Sequence, residues 1–250
     1  MRKLTLALAV LLFPVPGGAI TDLSAFLREA EQAARPTVTV RADGDLSSMA
    51  PDRNVRDQIL LIQREGNDLY LEMRQSGLKA LISQAGKEAA IVPKKGSRPS
   101  AFALTDALAA SDFTREDLEP FRVDRYQAPR IVDETSQQVV VSLFPKQSQY
   151  SLVVISFDRE KKVPLKTLYY QETLNNLVKM RRDGDQVLVG DRWLPTTITM
   201  QNIPLRTESR LQLRWTPSPP VFPELFQAAF LTRPSGLTWP ETGAQPGGGD

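Results

Sequence analysis

Alternating apolar and polar residues with short connections dominate the second half of the sequence, and this pattern restricts the possible folds most strongly. After Phe121, six such segments follow one another, separated by Pro, Asp and Gly residues that favour turns. Short connections force neighbouring strands to pair antiparallel, because a parallel pair needs a long crossover. Similar alternation occurs between Thr37 and Gln84. We therefore expect a mainly β protein with covering α-helices, whose sheet of about ten or eleven antiparallel strands is strongly curved or forms an incomplete barrel.

Two segments have the apolar spacing of amphipathic helices. Thr21–Ala34 begins with Thr21 and Asp22, either of which can cap a helix, and Pro36 follows its end. Near the other end of the chain, apolar residues recur at helical spacing from Pro223 to Leu231. We expect both helices to pack their apolar stripes against the sheet.

The segment between residues 87 and 111 has no clear strand pattern. Its first part is a loop with four basic residues, Lys87, Lys94, Lys95 and Arg98. Charge runs of this kind are usually solvated turns, and the alternative is a docking patch for an acidic partner or an anionic membrane surface. The sequence ALTDALAAS at 103–111 is expected to form a short helix.

The chain of 250 residues contains neither His nor Cys. A Ser-His-Asp triad is therefore impossible, and the commonest general base near neutral pH is missing. Structural zinc sites, haem attachment and iron–sulfur clusters are also excluded. Hydrolysis by paired carboxylates and an all-oxygen metal site remain open. We predict that the protein is not an enzyme and needs no cofactor or metal.

Residues 1–19 have the features of a cleavable secretory signal. Arg2 and Lys3 precede the apolar run from Leu4 to Phe13, and Ala19 offers a small residue for cleavage. The apolar run is too short to span a membrane, although an uncut N-terminal anchor is an alternative. No Cys follows that could be lipidated. We therefore expect a periplasmic protein.

Removal of this signal would change the charge of the protein. It takes away two basic residues and no acidic one, so the formal net charge would fall from +2 to zero. A neutral protein has no overall field that attracts nucleic acid. We expect no nucleic-acid partner. The domain organisation that we predict is a signal peptide at 1–19, a single domain at 20–234 and a disordered Gly- and Pro-rich tail at 235–250.

An acidic stretch, SDFTREDLEP at 111–120, contains four carboxylates. Thr114 and Asp117 have the spacing of a capping box, with Asp in place of the usual Glu or Gln. Acidic residues in a first helical turn also favour its positive end. We therefore predict a structural role at the start of a short helix. The alternative is a carboxylate enzyme with Asp112 and Asp117 as its acid–base pair; a calcium loop lacks the required Gly and ligand spacing.

The same stretch begins a series of motifs that resembles the family of outer-membrane lipoprotein-sorting proteins, which are LolA-like periplasmic carriers. The resemblance covers roughly Thr37 to Leu231. It departs from the family where Thr173 to Asn175 replace the Gly that usually follows the paired aromatics, and where AAIVPKK replaces an aromatic strand. The matching features are SDFTREDL, Tyr126, the Pro145-Lys146 pair, Tyr150, Pro164, the Tyr169-Tyr170 pair, Leu194-Pro195 and Met200.

The resemblance implies an open half-barrel whose concave face is covered by helices and encloses an apolar cavity for acyl chains. Several strands support this expectation because they are apolar on both faces. The strand face that lines the cavity is not determined by the pattern, since a shift of one residue reverses every assignment. The residues that we predict to line it are Leu69, Leu71, Met73, Val139, Val141, Leu143, Leu152, Val154, Leu168, Trp193, Ile198, Met200, Leu211, Leu213 and Trp215.

The family resemblance also implies partners. We expect a monomer that carries lipid or lipoprotein cargo, receives it from an inner-membrane transporter and passes it to an outer-membrane acceptor. The alternative is an envelope binding or sensor module on the same fold, in which the protein's own side chains fill the interior and no lipid is bound.

Overall fold

A computed structural model gives the structure of part of the chain. The expected signal at 1–19, the expected tail at 235–250 and Lys87 of the basic loop lie outside the described residues. The described ranges are 20–50, 53–64, 68–83, 88–218 and 221–233.

One antiparallel sheet of thirteen strands organises the described part of the chain. All strands that follow one another in sequence pair, except β6 and β7. The two halves of the chain are joined by pairing of β1 with β13. The end strands β6 and β7 lie at opposite edges, so the sheet is open. The strands are β1 (Val40–Ala50), β2 (Arg53–Gln63), β3 (Leu69–Met73), β4 (Lys79–Ser83), β5 (Glu88–Val92), β6 (Ser100–Ala101), β7 (Tyr126–Glu134), β8 (Gln138–Pro145), β9 (Leu152–Asp158), β10 (Pro164–Tyr170), β11 (Leu177–Val189), β12 (Arg192–Asn202) and β13 (Thr207–Pro217).

The prediction of a mainly β fold with one antiparallel sheet is confirmed, but the expected number of ten or eleven strands is too low. The strands with the weakest sequence signals explain the difference. β5 and β6 lie where the sequence predicts a loop, and β5 contains Ala89 and Ala90, which are weak strand formers. Backbone pairing with β4 holds β5 in the sheet despite this preference.

Helix α1 (Leu23–Ala34) lies on one face of the sheet, which we call the inner face. Its start is capped by Asp22, whose Oδ1 accepts a hydrogen bond from the backbone N–H of Ala25 at 2.9 Å. Pro36 follows its end, as the sequence predicts. Phe26, Leu27 and Ala30 of α1 are buried in the main core.

The main core shows that the sheet curves around α1. Strands from both halves of the sheet contribute to this one cluster, including Leu61 of β2 and Phe157 of β9. The ring of Phe157 meets that of Phe26 edge-on, with 5.8 Å between their centroids. β2 and β9 are far apart in the order of strands within the sheet. A flat sheet could not bring both of them to one short helix. The sheet is therefore open and curved, with fewer covering helices than expected.

The segment from Phe102 to Arg125 covers the rest of the inner face. It contains the single-turn helix α2 (Arg115–Leu118) and a 3₁₀ turn at Val123–Arg125. The short helix expected at 103–111 is wrong, because these residues form turns and an isolated bridge between Ala107 and Thr114. Large apolar side chains from this segment fill the inner face: Phe102, Leu108, Phe113 and Phe121.

The end of the described chain packs on the opposite, outer face of the sheet. The predicted helix at Pro223–Leu231 is instead two 3₁₀ turns, Pro223–Phe226 and Ala228–Thr232. The expectation that it covers the concave face is also wrong. β2 to β4 are apolar on both faces, so their outer face needs its own cover. The side chains that meet there are Leu60, Ile62, Tyr70, Leu81 and Val92 from the sheet and Leu225, Phe226, Phe230 and Leu231 from the turns.

Within the described ranges, no helix has the length and apolar character needed to cross a membrane. α1, the longest helix described, spans 12 residues.

Candidate functional site

A cavity of about 190 Å³ lies between the inner face, the C-terminal end of α1 and the segment that contains α2. One wall is apolar and comes from β2, β3, β9, β12 and β13. A second wall carries charged side chains from α2, the following Glu119, Arg125 and β11. The apolar wall includes Leu61, Leu69, Val153, Ile155, Ile198, Leu211, Leu213 and Trp215, and the charged wall includes Glu116, Asp117, Glu119, Arg125, Arg181 and Asp183.

Most of the residues predicted to line a cavity share the inner face. Five of them lie in the cavity wall: Leu69, Ile198, Leu211, Leu213 and Trp215. The others on this face fill the core beside the cavity, packed against α1 and the Phe102–Arg125 segment. These core residues are Leu71, Met73, Val139, Val141, Leu143 and Met200.

Three predicted residues, Leu152, Val154 and Leu168, face the other way, so their assignment to the cavity is wrong. In β9 the buried residues are Val153, Ile155 and Phe157, which alternate with Leu152 and Val154. In β10 the inner face carries Thr167 and Tyr169, and Leu168 lies between them. Both faces of these strands are apolar enough that the pattern does not reveal which face is inside.

Trp193 occupies the rim of the cavity. Its register on β12 is opposite to that of Ile198 and Met200, yet it still borders the cavity. The Nζ of Lys161 lies 4.0 Å from the centroid of the indole ring, within the range of a cation–π contact. Trp215 is held by a hydrogen bond from its Nε1–H to the Pro195 carbonyl oxygen at 2.8 Å.

Sequence reasoning did not predict the charged wall, which is built around Asp117. Its carboxylate accepts hydrogen bonds from the Thr114 backbone N–H at 2.8 Å, the Lys179 ammonium at 2.9 Å and the Tyr150 hydroxyl at 3.0 Å. The contact with the Thr114 N–H is the capping interaction that the sequence indicates. The other two donors come from strand β11 and from the turn before β9, and nothing local in the sequence points to them.

Charged side chains from β11 tie the α2 segment to the sheet. Arg181 donates two hydrogen bonds to the Asp183 carboxylate, at 2.6 and 2.9 Å, and a third to the backbone carbonyl of Asp117 at 2.6 Å. On the other side of α2, Glu119 pairs with Arg115 at 2.9 Å and with Arg125. These contacts stabilise one position of α2 over the cavity.

The side chain of Asp112 is held by hydrogen-bond donors from strand β13. Its carboxylate accepts hydrogen bonds from the hydroxyls of Ser209 and Thr207, at 2.8 and 2.5 Å. Its backbone carbonyl accepts a hydrogen bond from the Lys179 ammonium at 2.7 Å. Asp112 and Asp117 therefore share Lys179 and are engaged in packing the segment onto the sheet. Among the described residues no group of three or more acidic side chains is placed to hold a metal ion.

Burial shifts the pKa values of side chains in and beside the charged wall. Burial raises the pKa of Glu116, and hydrogen bonds from Ser148 and Gln149 partly oppose the shift. Burial also raises the pKa of Tyr126 to about 12. The pKa of Tyr150 is raised above its usual range by burial and by the neighbouring Asp117 carboxylate, so its hydroxyl stays protonated as a donor.

At the other end of the cavity, Arg192 on β12 is 7% exposed. It donates hydrogen bonds to the Ala34 carbonyl oxygen at 2.6 Å and, at 3.4 Å, to Gln63 Oε1. The first bond satisfies a carbonyl at the end of α1, where a cation is favoured. Burial lowers the pKa of Arg192 to about 10, while Asp191 raises it, so the guanidinium is still charged at neutral pH.

An open antiparallel sheet that curves around one helix and leaves a cavity under it is the LolA-like fold, and solved structures with this fold match the chain closely. A domain from Vibrio parahaemolyticus described as an outer membrane lipoprotein-sorting protein superposes with a TM-score of 0.75 at 16% identity, covering 84% of this chain and 97% of that one. A LolA superfamily protein from Nitrosomonas europaea gives 0.66 at 15% identity, covering 85% and 100%.

A DUF1329 family protein from Desulfovibrio piger gives a TM-score of 0.69 at 14% identity, covering 83% of this chain and 96% of that one. A protein-family model with the description "-like: Uncharacterized protein" matches residues 94–233. This is more than half of the chain, so the protein belongs to that family. A search of curated proteins gave no match.

Proposed function

We propose that the protein is a periplasmic carrier that takes acyl chains of a lipoprotein or another lipid into the inner-face cavity and moves them toward the outer membrane. The observation that carries this proposal is the cavity itself, with one apolar wall under a single amphipathic helix. The LolA-like fold supports it, since one structural neighbour is described as a lipoprotein-sorting protein.

If the protein is a carrier, this structure is its closed form, because the cavity is small. Pockets for drug-sized ligands are typically about 300–1,000 Å³, whereas this cavity is about 190 Å³. An acyl chain therefore requires the cover to move. Ion pairs hold the segment with α2 against the sheet. We therefore propose that α1 is the element that moves away to open the cavity.

The free energies involved make this opening feasible. Exposing Phe26 and Leu27 of α1 costs about 3–6 kcal/mol, taking roughly 1.5–3 kcal/mol for each buried side chain. Burying one methylene group of the cargo contributes about 0.8 kcal/mol. A bound chain of about four to eight methylenes is therefore enough to offset the opening. No covalent step is needed.

Uptake and release require partners with different affinities for the cargo. We propose an inner-membrane transporter as donor and an outer-membrane site as acceptor, because a carrier releases its cargo only where another site binds it better.

The small volume favours a second candidate function, an envelope binding or sensor module that holds no lipid. In this form the interior is filled by α1 and the Phe102–Arg125 segment, and a partner binds elsewhere on the surface. The basic loop is the proposed contact, since Lys94, Lys95 and Arg98 are exposed.

Lipid retention separates the two functions. The protein would be purified from membrane-containing cells and analysed by native mass spectrometry, then assayed for transfer of a fluorescent phospholipid between vesicles. The Ile198→Trp variant fills the cavity wall, and Leu188→Trp is the matched control because Leu188 is 55% exposed on β11. We expect co-purified lipid and transfer that Ile198→Trp abolishes and Leu188→Trp preserves. Wild-type protein without lipid or transfer would exclude the carrier.

A further inference from the structure

Arg192 is a buried cation that forms no ion pair with a carboxylate of the described residues. Of the described acidic residues, Asp191 is the one that acts on its charge, and its side chain is in the exposed turn, where it accepts a hydrogen bond from Thr37 at 2.6 Å. The bonds that Arg192 makes go to neutral oxygens of Ala34 and Gln63. Its Nε–H, fully buried, has no acceptor in the part of the chain that the structure describes.

Asp183, the cavity carboxylate on the strand paired with Arg192, is too distant to neutralise it. In the β11–β12 hairpin, Arg192 pairs with Val189 and Asp183 pairs with Ile198, which places six positions between the two levels. At about 3.4 Å per residue, that separation is roughly 20 Å along the strand. Asp183 is in any case paired with Arg181, and Asp117 with Lys179. The two ends of the cavity therefore differ, with paired charges at one end and a lone cation at the other.

The surroundings of Arg192 make a lone cation costly. Val40, Val189 and Leu194 form a small buried cluster beside it, against Trp215. An unpaired charge in such an environment is unfavourable unless a counter-charge arrives. Holding the end of α1 needs only the bond to Ala34, and a neutral donor could supply that bond. The guanidinium offers further donors in a fixed planar arrangement, which suits carboxylate and phosphate oxygens.

We propose that Arg192 binds the anionic group of an amphiphile whose hydrocarbon lies along the apolar wall of the cavity. The chemistry that recognises the ligand is a carboxylate or phosphate next to an alkyl chain. This inference rests on the proposed carrier function and narrows its cargo from lipids in general to anionic amphiphiles. Leu213 and Trp215 line the route from Arg192 into the apolar wall.

Three probes with the same chain test the proposal: dodecanoate, dodecyl phosphate and 1-dodecanol. Their affinities would be measured by titration calorimetry, with the fluorescence of Trp193 and Trp215 at the cavity as a second readout. A hydrogen bond to a charged group contributes enough for a preference of at least about tenfold for an anionic probe over the alcohol. The comparison of the two anions shows whether a carboxylate or a phosphate is the better ligand.

The variants are Arg192→Gln, Arg192→Lys and the control Arg214→Gln, since Arg214 is exposed on the neighbouring strand β13. We expect Arg192→Gln to bind the anions no better than the alcohol, while Arg192→Lys and Arg214→Gln keep the preference. Circular dichroism checks that each variant is folded. If Arg192→Gln does not fold, the test rests on Arg192→Lys.

Three results would overturn the inference, and they have different consequences for the carrier function. Equal affinity of the wild type for all three probes would refute the anion site while leaving the carrier in place. The same holds if Arg192→Gln retains the preference. Failure of the wild type to bind any of the three would remove the carrier function and the inference with it.

Discussion

Asp117 and Lys179 form a buried ion pair across the cavity wall, with 2.9 Å between the Asp117 Oδ2 and the Lys179 Nζ. The side chain of Asp117 is fully covered and that of Lys179 is 10% exposed. The pair joins α2 to strand β11, and the Tyr150 hydroxyl donates to the same carboxylate. It therefore holds the covering segment against the sheet at the charged end of the cavity.

Removing one charge of this pair and removing both should have non-additive effects on stability. Lys179→Met leaves Asp117 as a buried, unpaired carboxylate, for which a loss of about 3–5 kcal/mol in the free energy of unfolding is expected. In the Asp117→Leu/Lys179→Met double variant, the loss should be smaller than the sum of the single losses. Urea denaturation measures both, with Lys94→Met on the exposed basic loop as the control. Additive losses would show that the two charges do not interact.

The half-buried Glu116 should make stability depend on pH. Burial raises its pKa in the folded protein, so the folded state binds the proton more tightly than the unfolded state. The contribution of Glu116 is therefore fully present below its unfolded pKa of 4.5 and is lost as pH rises through the raised, folded pKa. Glu116→Gln cannot lose a proton, so it should gain stability relative to the wild type as pH increases.

Urea denaturation of both proteins from pH 4.5 to 7.5 measures this difference and cancels the other titrating groups, which the two chains share. Parallel stability profiles for wild type and Glu116→Gln would mean that Glu116 is not perturbed.

Gly44 on β1 should be essential for the junction between the two halves of the sheet. A Cβ added there would lie 1.9 Å from the Gln212 carbonyl oxygen of β13, which no backbone adjustment of a few tenths of an ångström relieves. We expect Gly44→Ala to separate β1 from β13 locally and to lower stability by several kcal/mol, on the order of the largest single-residue effects.

The control is Gly184→Ala on β11, where the nearest atom to an added Cβ is 4.0 Å away. Thermal denaturation should show a large decrease in Tm for Gly44→Ala and little change for Gly184→Ala. Similar Tm values for the two variants would disprove the close approach of β1 and β13 at this point.

The outer-face turns should contribute to the stability of the protein and not to ligand binding in the cavity. The Phe230 ring packs edge-on against Tyr70 with 6.3 Å between centroids, and it is 5% exposed. Phe230→Ala should cost about 3–5 kcal/mol, as for other buried aromatic truncations. Phe222→Ala is the matched control, since Phe222 is 62% exposed. Both variants should bind an acyl probe with wild-type affinity below their unfolding temperatures; weaker probe binding by Phe230→Ala would connect the outer face to the cavity.

The sequence alone determined the elements whose causes are local. Alternation and short turns predicted an antiparallel sheet, Asp22 and Pro36 bounded α1, and the spacing of Thr114 and Asp117 indicated a cap. Each of these depends on residues a few positions apart, where backbone geometry restricts the outcome. The weak strands β5 and β6 escaped this reasoning because pairing with a neighbour, rather than their own preference, keeps them extended.

Only the tertiary structure decided which face of each strand is inside and which charges meet. Val154 and Ile155 are both β-branched and apolar, and only the packing of α1 makes Ile155 internal. Lys179 reaches Asp117 across 62 positions of sequence, and Arg192 reaches Ala34 across 158. Such pairs depend on how the sheet curves and on the β1–β13 junction. Curvature and strand order are set by the packing of the whole chain, and no local pattern of residues encodes them.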